Sequence, residues 1–191
     1  MEKCLVIYST TDGHTKKICD HIASILNDSS HTKLISLNQA FDENLMMFDM
    51  IVIGASIRYG KHKKELYKFI KKNISVLEAK KNAFFSVNAV ARNSEKGSPL
   101  TNPYTKKFLE LSQWNPKEIS VFAGKIDYPR YGFFDKHIIR FIMWLTSGPT
   151  DLSNTYDFTN WKKVTVKNFN FIDFFNFKKK KKKKRIPTYR P

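Results

Sequence analysis

Apolar residues fall along this chain in two alternating rhythms: short unbroken runs, and longer stretches with an apolar residue at every third or fourth position. The run Cys4 to Tyr8 stops at Ser9-Thr10-Thr11-Asp12-Gly13-His14-Thr15, after which Ile18, Ile22, Ile25 and Leu26 recur at helical spacing. That predicts strand, tight turn, helix. Lys33 to Leu37 predicts a short strand and Asp49 to Ala55 a fully buried one. Leu66, Phe69, Ile70, Ile74 and Leu77 predict a helix over Glu65–Leu77, Asn82 to Val90 a strand with its exit loop, and Tyr104 to Trp114 a helix. Ile119 to Ile126 predicts the last strand, and Trp161 to Phe175 a closing helix.

Strands alternating with helices imply an α/β fold: a doubly wound sheet of five parallel strands in the order 2-1-3-4-5 with right-handed crossovers. Ligands of such sheets lie outside the carboxyl ends of the strands, at the switch point between the first and third. Three loops should meet there: Ser9–Thr15, Ser56–Gly60 and Asn88–Asn93. In the first, the leading N–H groups of the helix lack intrahelical partners and the helix dipole favours negative charge, which makes a phosphate cradle. Ser9, Thr10, Thr11 and Thr15 add hydroxyl donors, and Gly13 lets the backbone come close to an anion. Hydroxyl residues are also ordinary helix caps, so a turn with no ligand reads the same way on composition alone.

The 191 residues suffice for one domain with a real core, and an apolar share of 41% fits a globular protein. Charge is the imbalance. The net charge is +17, of which Lys178–Arg185 carries eight, so the rest of the chain is itself basic. A basic surface draws nucleic acid, anionic lipid or an acidic small molecule, and charge does not choose among them. Two cysteines, on a predicted strand and a predicted helix, suggest free buried thiols in a reducing compartment. The first core strand starts almost at Met1, so no signal peptide is expected, and Ile138 to Leu145 is far too short to span a bilayer.

The fold does not require Asp127 to Asp157. There, Tyr128, Tyr131, Phe133, Phe134, Phe141 and Trp144 are interleaved with Arg130, Lys136, His137 and Arg140, the composition of an interfacial helix with a basic face. An excursion that packs on the domain with its own aromatic core would look alike. The expected organisation is a domain over 1–177, with the insertion at about 127–157, and a basic tail over 178–191. In the tail, phenylalanines from Phe169 to Phe177 precede the lysine run, which suits an anionic leaflet, although slippage in an adenine-rich gene would also produce it. His14, His62 and His137 lack the spacing of metal ligands, and no metal site is expected.

The spacing from Val6 through Thr15 resembles the FMN-phosphate loop of flavodoxins, departing from it at Asp12 and at Cys19. A carboxylate beside a phosphate repels it, so Asp12 is expected to lend its N–H and turn its side chain outward. Cys19 should pack as alanine would. Four further stretches narrow the likeness: Val52–Gly60, Ser86–Arg92, Thr101–Trp114, and Ala123-Gly124 leading into Tyr128-Pro129-Arg130-Tyr131. Together these resemble the quinone-dependent protoporphyrinogen IX oxidases of bacterial haem synthesis.

The resemblance implies FMN as cofactor, protoporphyrinogen IX as hydrogen donor and a membrane quinone, menaquinone or ubiquinone, as acceptor. It implies that Ser9, Thr10, Thr11, Asp12, Gly13, His14 and Thr15 hold the FMN phosphate. Ser56, Ile57, Arg58 and Tyr59, with Ser86, Val87, Asn88, Ala89, Val90, Ala91 and Arg92, and with Gly124 nearby, would flank the isoalloxazine. Tyr59 would stack on it, and backbone N–H groups, Arg58 or Arg92 would bond its pyrimidine edge. No catalytic acid or base is expected, because the flavin carries the chemistry. Tyr128, Arg130, Tyr131, Lys136, Arg140 and Trp144 would meet the porphyrinogen, an anionic membrane surface, or both. The expected location is peripheral, on the cytoplasmic face of the inner membrane; no nucleic acid is expected and homo-oligomerisation stays open. Three other readings remain: an FMN-dependent NAD(P)H:quinone reductase, a flavodoxin-type electron carrier, and a basic membrane- or nucleic-acid-binding module whose flavin site has decayed.

Overall fold

The computed structural model describes residues 1–165. Strand β1 (Glu2–Ser9) runs between β2 (Ser30–Ser36) and β3 (Met50–Ser56), with β4 (Lys81–Asn88) and β5 (Glu118–Ala123) beyond β3. All four pairings are parallel, and the order is β2-β1-β3-β4-β5, as predicted. Strand β2 starts three residues before its predicted boundary. It is an edge strand whose first half, Ser30-His31-Thr32, is polar, so no apolar run announces it.

Successive side chains of a strand point to opposite faces, and each face has its own core. Leu5, Ile7, Ile51, Ile53 and Phe84 pack with Leu66, Phe69, Ile70 and Leu77 of α3 (Lys64–Ala79) and Phe108 of α4 (Pro103–Ser112). Cys4, Val6, Val52, Phe85 and Phe122 face Ile18, Cys19, Ile22 and Leu26 of α1 (His14–Asn27) and Val164 of α6 (Trp161–Val164). Between β2 and β3 lies one turn of helix, α2 (Leu37–Ala40). Both cysteines are free and buried, and burial pushes both thiols well above their ordinary range.

Two predictions need correction. The run Ile119–Ile126 is not one strand: β5 ends at Ala123, and after Gly124 the chain forms β6 (Lys125–Asp127), which pairs antiparallel with β7 (Thr155–Asp157). This ribbon closes the base of the insertion. Within it a 3-10 turn, Tyr128–Arg130, leads to α5 (Phe133–Leu145), and Ile126, Tyr128 and Met143 form a third small core with Ile139, Tyr156 and Phe158 against them. The insertion therefore does carry its own aromatic core. The closing helix begins at Trp161 as predicted but ends at Val164; the remainder of its predicted span, with the phenylalanines and the Lys178–Arg185 run, lies outside the described residues. Among the described residues no helix is long and apolar enough to cross a membrane.

Candidate functional site

At the carboxyl ends of β1, β3 and β4 the three expected loops meet and, with α5 above them, surround a cavity that is partly open to solvent. Its first wall is the β1–α1 turn. Gly13 has φ +81°, a conformation that favours glycine, and a Cβ there would meet nothing within 4 Å. No side chain caps α1. The first helical bond is Lys17 N–H to Gly13 O at 3.2 Å, so the N–H groups of His14, Thr15 and Lys16 have no intrahelical acceptor. The Thr15 hydroxyl is buried with no partner. His14 Nε2 lies 2.6 Å from Thr159 Oγ1, whose own proton goes to Ala123 O at 3.1 Å. The ring therefore donates from Nε2 and leaves Nδ1 buried as a bare acceptor. Burial is the main cause lowering the His14 pKa; Lys17 and Lys125 add to it, and Asp157 opposes them.

The Asp12 side chain points outward and is 38% exposed, yet it is not left unpaired. Its carboxylate accepts from Arg58 Nη1 at 2.8 Å, so the charge that would repel a phosphate is matched by the neighbouring loop. That loop is a two-residue hairpin turn. Arg58 and Lys61 exchange backbone bonds of 3.0 and 3.2 Å, while Tyr59 and Gly60 take φ of +50° and +74°. The turn fixes Arg58 between the rings of Tyr59 and Tyr131, with centroids 5.1 and 4.8 Å from its guanidinium carbon. Its other amino group donates to Asp135 of α5 at 2.5 Å, and the Tyr59 hydroxyl donates to the same carboxylate. Burial opposes the charge on Arg58, but Asp12, Tyr59 and Asp135 together hold its pKa above the ordinary value.

The opposite wall is the β4 loop, where Val87, Asn88, Ala89 and Val90 line the cavity. Asn88 Oδ1 accepts from Ala91 N at 3.1 Å and from Asn102 at 3.2 Å, while its amide donates to Ser86 Oγ at 3.2 Å. Asn102 also caps α4, so one buried side chain ties the loop to a helix start. Arg92 does not line the cavity. It donates to Ala89 O at 2.8 Å and to the carbonyl and hydroxyl of Thr146, holding the far end of α5. Two arginines, one from each loop, thus clasp the two ends of α5.

Of the other expected site residues, Thr10, Ser56, Ile57 and Gly124 line the cavity. Ser9 and Ser86 are buried beneath it, Ser9 through its carbonyl 3.4 Å from Ser56 Oγ, and Ala91 contributes a backbone bond. Thr11 and Gly13 face an adjoining cavity, which also takes Arg130 and Tyr131. Tyr128 is not a ligand-facing residue: it is wholly buried, and its hydroxyl donates to Pro149 O at 2.9 Å. Lys136 and Arg140 lie on α5 outside the cavity, and Trp144 is 66% exposed. The cavity also takes residues that were not anticipated: Tyr104, Lys125, then Ile139, Ile142 and Met143 on the inner face of α5, and Thr146 just past its end. The aromatic and basic composition of α5 signalled a ligand role but not which of its faces turns inward. Behind the β3 loop, His62 Nδ1 donates to Ser56 O at 3.1 Å, and its Nε2 is buried without a partner.

A parallel 2-1-3-4-5 sheet with an uncapped anion-ready turn after β1 and a cavity between the β3 and β4 loops defines a flavodoxin-type domain. The family profile described as Flavodoxin domain matches residues 5–153. The protein named Protoporphyrinogen IX dehydrogenase (quinone) of Leishmania major is 43% identical over 164 residues, covering 85% of this chain and 71% of that one. The protein of the same name from Escherichia coli strain K12 is 39% identical over 163 residues, covering 85% and 90%. Among solved structures, a flavoprotein from Lactobacillus acidophilus NCFM in complex with FMN is 17% identical, with a TM-score of 0.46 over 63% of this chain and 93% of that one. The chain belongs to the protoporphyrinogen IX dehydrogenase (quinone) family of oxidoreductases, built on a flavodoxin domain. FMN is the cofactor of such a domain, and the turn fits its phosphate: uncapped helical N–H groups, an unpartnered Thr15 hydroxyl, and an Asp12 already matched by Arg58.

Proposed function

We propose that this protein holds FMN in the cavity, oxidises protoporphyrinogen IX to protoporphyrin IX, and passes the electrons to a membrane quinone, menaquinone or ubiquinone, in haem synthesis. The observation that carries the reading is the cavity itself, with an anion-ready turn at one end, loops on two sides and an apolar helix face as its roof. FMN, when bound, supplies the two-electron redox chemistry. The α1 N–H groups and Thr15 hold its phosphate. Arg58 is offset by two carboxylates and Arg92 is engaged with Thr146, so donors to the flavin edge come from backbone N–H groups of the β4 loop. Ile139, Ile142 and Met143 exclude water above the site.

The outer face of α5 exposes Phe133, Phe134, Ile138, Phe141, Trp144 and Leu145, with Lys136 and Arg140 on the same helix. In our reading this face seats the protein on an anionic bilayer, peripheral on the cytoplasmic side of the inner membrane, where the quinone resides. The test of the reaction is anaerobic mixing of FMN-loaded protein with protoporphyrinogen IX, with and without a menaquinone analogue. The expected result is loss of the oxidised-flavin absorbance near about 450 nm and quinone-dependent growth of porphyrin fluorescence. A flavin that stays oxidised with the porphyrinogen but bleaches with NAD(P)H would replace this reading with an NAD(P)H:quinone reductase.

A further inference from the structure

A second cavity, partly open to solvent, adjoins the first and shares Asp12, His14, Lys125 and Tyr131 with it. None of the β3 or β4 loop residues lines it, so it lies to the side of the expected flavin ring. Its walls are the β1–α1 turn and the segment from β6 to Tyr131, and they bring three cations, Lys17, Lys125 and Arg130, together with two carboxylates. Both carboxylates are already engaged. Asp12 is held by Arg58 at 2.8 Å, and Asp127 accepts from Lys125 at 2.9 Å and from the Thr155 hydroxyl at 2.8 Å. Lys17 and Arg130 have no carboxylate at ion-pair distance among the described residues. His14, 8% exposed and with its Nδ1 unpartnered, lines both cavities.

We propose that this second cavity is the subsite for the substrate's carboxylates, with Lys17 and Arg130 pairing the propionates while the macrocycle lies over the bound flavin, against the apolar face of α5. The inference rests on the reading of protoporphyrinogen IX as substrate. The chemistry divides as that molecule does. The first cavity offers an apolar wall, Ile139, Ile142 and Met143, to a broad hydrocarbon ring. The second offers two cations without acidic partners to a dicarboxylate edge, where charge-assisted bonds offset the cost of taking carboxylates out of water. Tyr131, which lines both, stands at the junction with its ring under Arg58. The same cations would also suit the cofactor phosphate, so the experiment must separate the two anions.

Binding of protoporphyrin IX and of its dimethyl ester to the FMN-loaded full chain in mild detergent, followed by porphyrin fluorescence, makes that separation for the wild type and a Lys17→Gln/Arg130→Gln variant. The expected result is a Kd for the free acid raised about tenfold or more, with the ester changed by less than about twofold and FMN affinity unchanged. A Lys17→Arg/Arg130→Lys variant, keeping both charges, should recover most of the acid's affinity. Equal changes for acid and ester, or weaker FMN binding with the acid unaffected, would overturn the subsite. Wild-type protein that turns over the porphyrinogen diacid and diester with the same KM would overturn the subsite alone. Wild-type protein that binds neither porphyrin and oxidises no porphyrinogen would bring down the functional reading and the subsite with it.

Discussion

His62 is 3% exposed, and its Nδ1–H bonds the carbonyl of Ser56, directly behind the loop after β3 that lines the cavity. Its ring packs edge-to-face with Phe84 and Phe108, its Nε2 has no partner, and burial lowers its pKa to about 4. The unfolded chain binds a proton there at about pH 6.5, so between the two values the unfolded state holds a proton that the fold excludes. Stability is therefore full above about pH 6.5 and is lost as the pH falls toward 4, by about 3 kcal/mol at the end of the window. Urea unfolding at pH 7 and at about pH 4.5 should show a smaller acid loss in His62→Gln than in the wild type. Equal losses would show that other groups set the acid limit. None of this was legible in the sequence, where His62 is one of several scattered histidines. The β1–α1 turn was legible, because a hydroxyl cluster followed by glycine between an apolar run and a helical period is a local signal. The ion pair of Asp12 was not, since its partner Arg58 stands on another loop and reaches it only once β1 and β3 lie side by side.

The five strands and their order followed from element type alone, since unbroken aliphatic runs between helical periods admit few topologies. The β6–β7 ribbon gave no such sign: each strand is three residues long, and the partners are separated by the whole insertion. Strand β3 carries a glycine that such reasoning treats as a boundary, although Gly54 lies inside it, opposite Phe85 of β4. The ring of Phe85 covers that glycine, and a Cβ on Gly54 would come 2.2 Å from its Cζ. Phe85 cannot easily retreat, because its other contacts include Phe122 at a centroid distance of 5.3 Å. Gly54→Ala should therefore cost about 3 kcal/mol in urea unfolding, at the upper end of overpacking penalties. Gly54→Ala combined with Phe85→Leu should lose less than the sum of the two single changes, as expected of residues in contact. A neutral Gly54→Ala would mean that the β4 ring has room the packing does not show.

At the scale of the whole molecule, the basic charge and the outer face of α5 belong to one argument. Phe141 and Trp144 are 58% and 66% exposed, and their rings stack with centroids 6.0 Å apart. Side chains so exposed contribute little to the folded core, so Phe141→Ser/Trp144→Ser should leave thermal unfolding within about 2 °C of the wild type. At a bilayer interface the same pair would bury its rings among the acyl chains, at about 25 cal/mol for each Å2 of apolar surface removed from water. The variant should then bind anionic vesicles about tenfold or more weakly. Because the Lys178–Arg185 run is unchanged between the two proteins, the difference between them isolates α5 from the tail. Raising the salt should weaken both, as it screens the attraction of a +17 chain for the leaflet, but the gap between them should persist because the apolar part is not screened. Equal vesicle affinity for wild type and variant would leave α5 without its lipid role. A gap that persists in salt would place the helix that roofs the cavity in the interface, as the proposed delivery of electrons to a quinone in the bilayer requires.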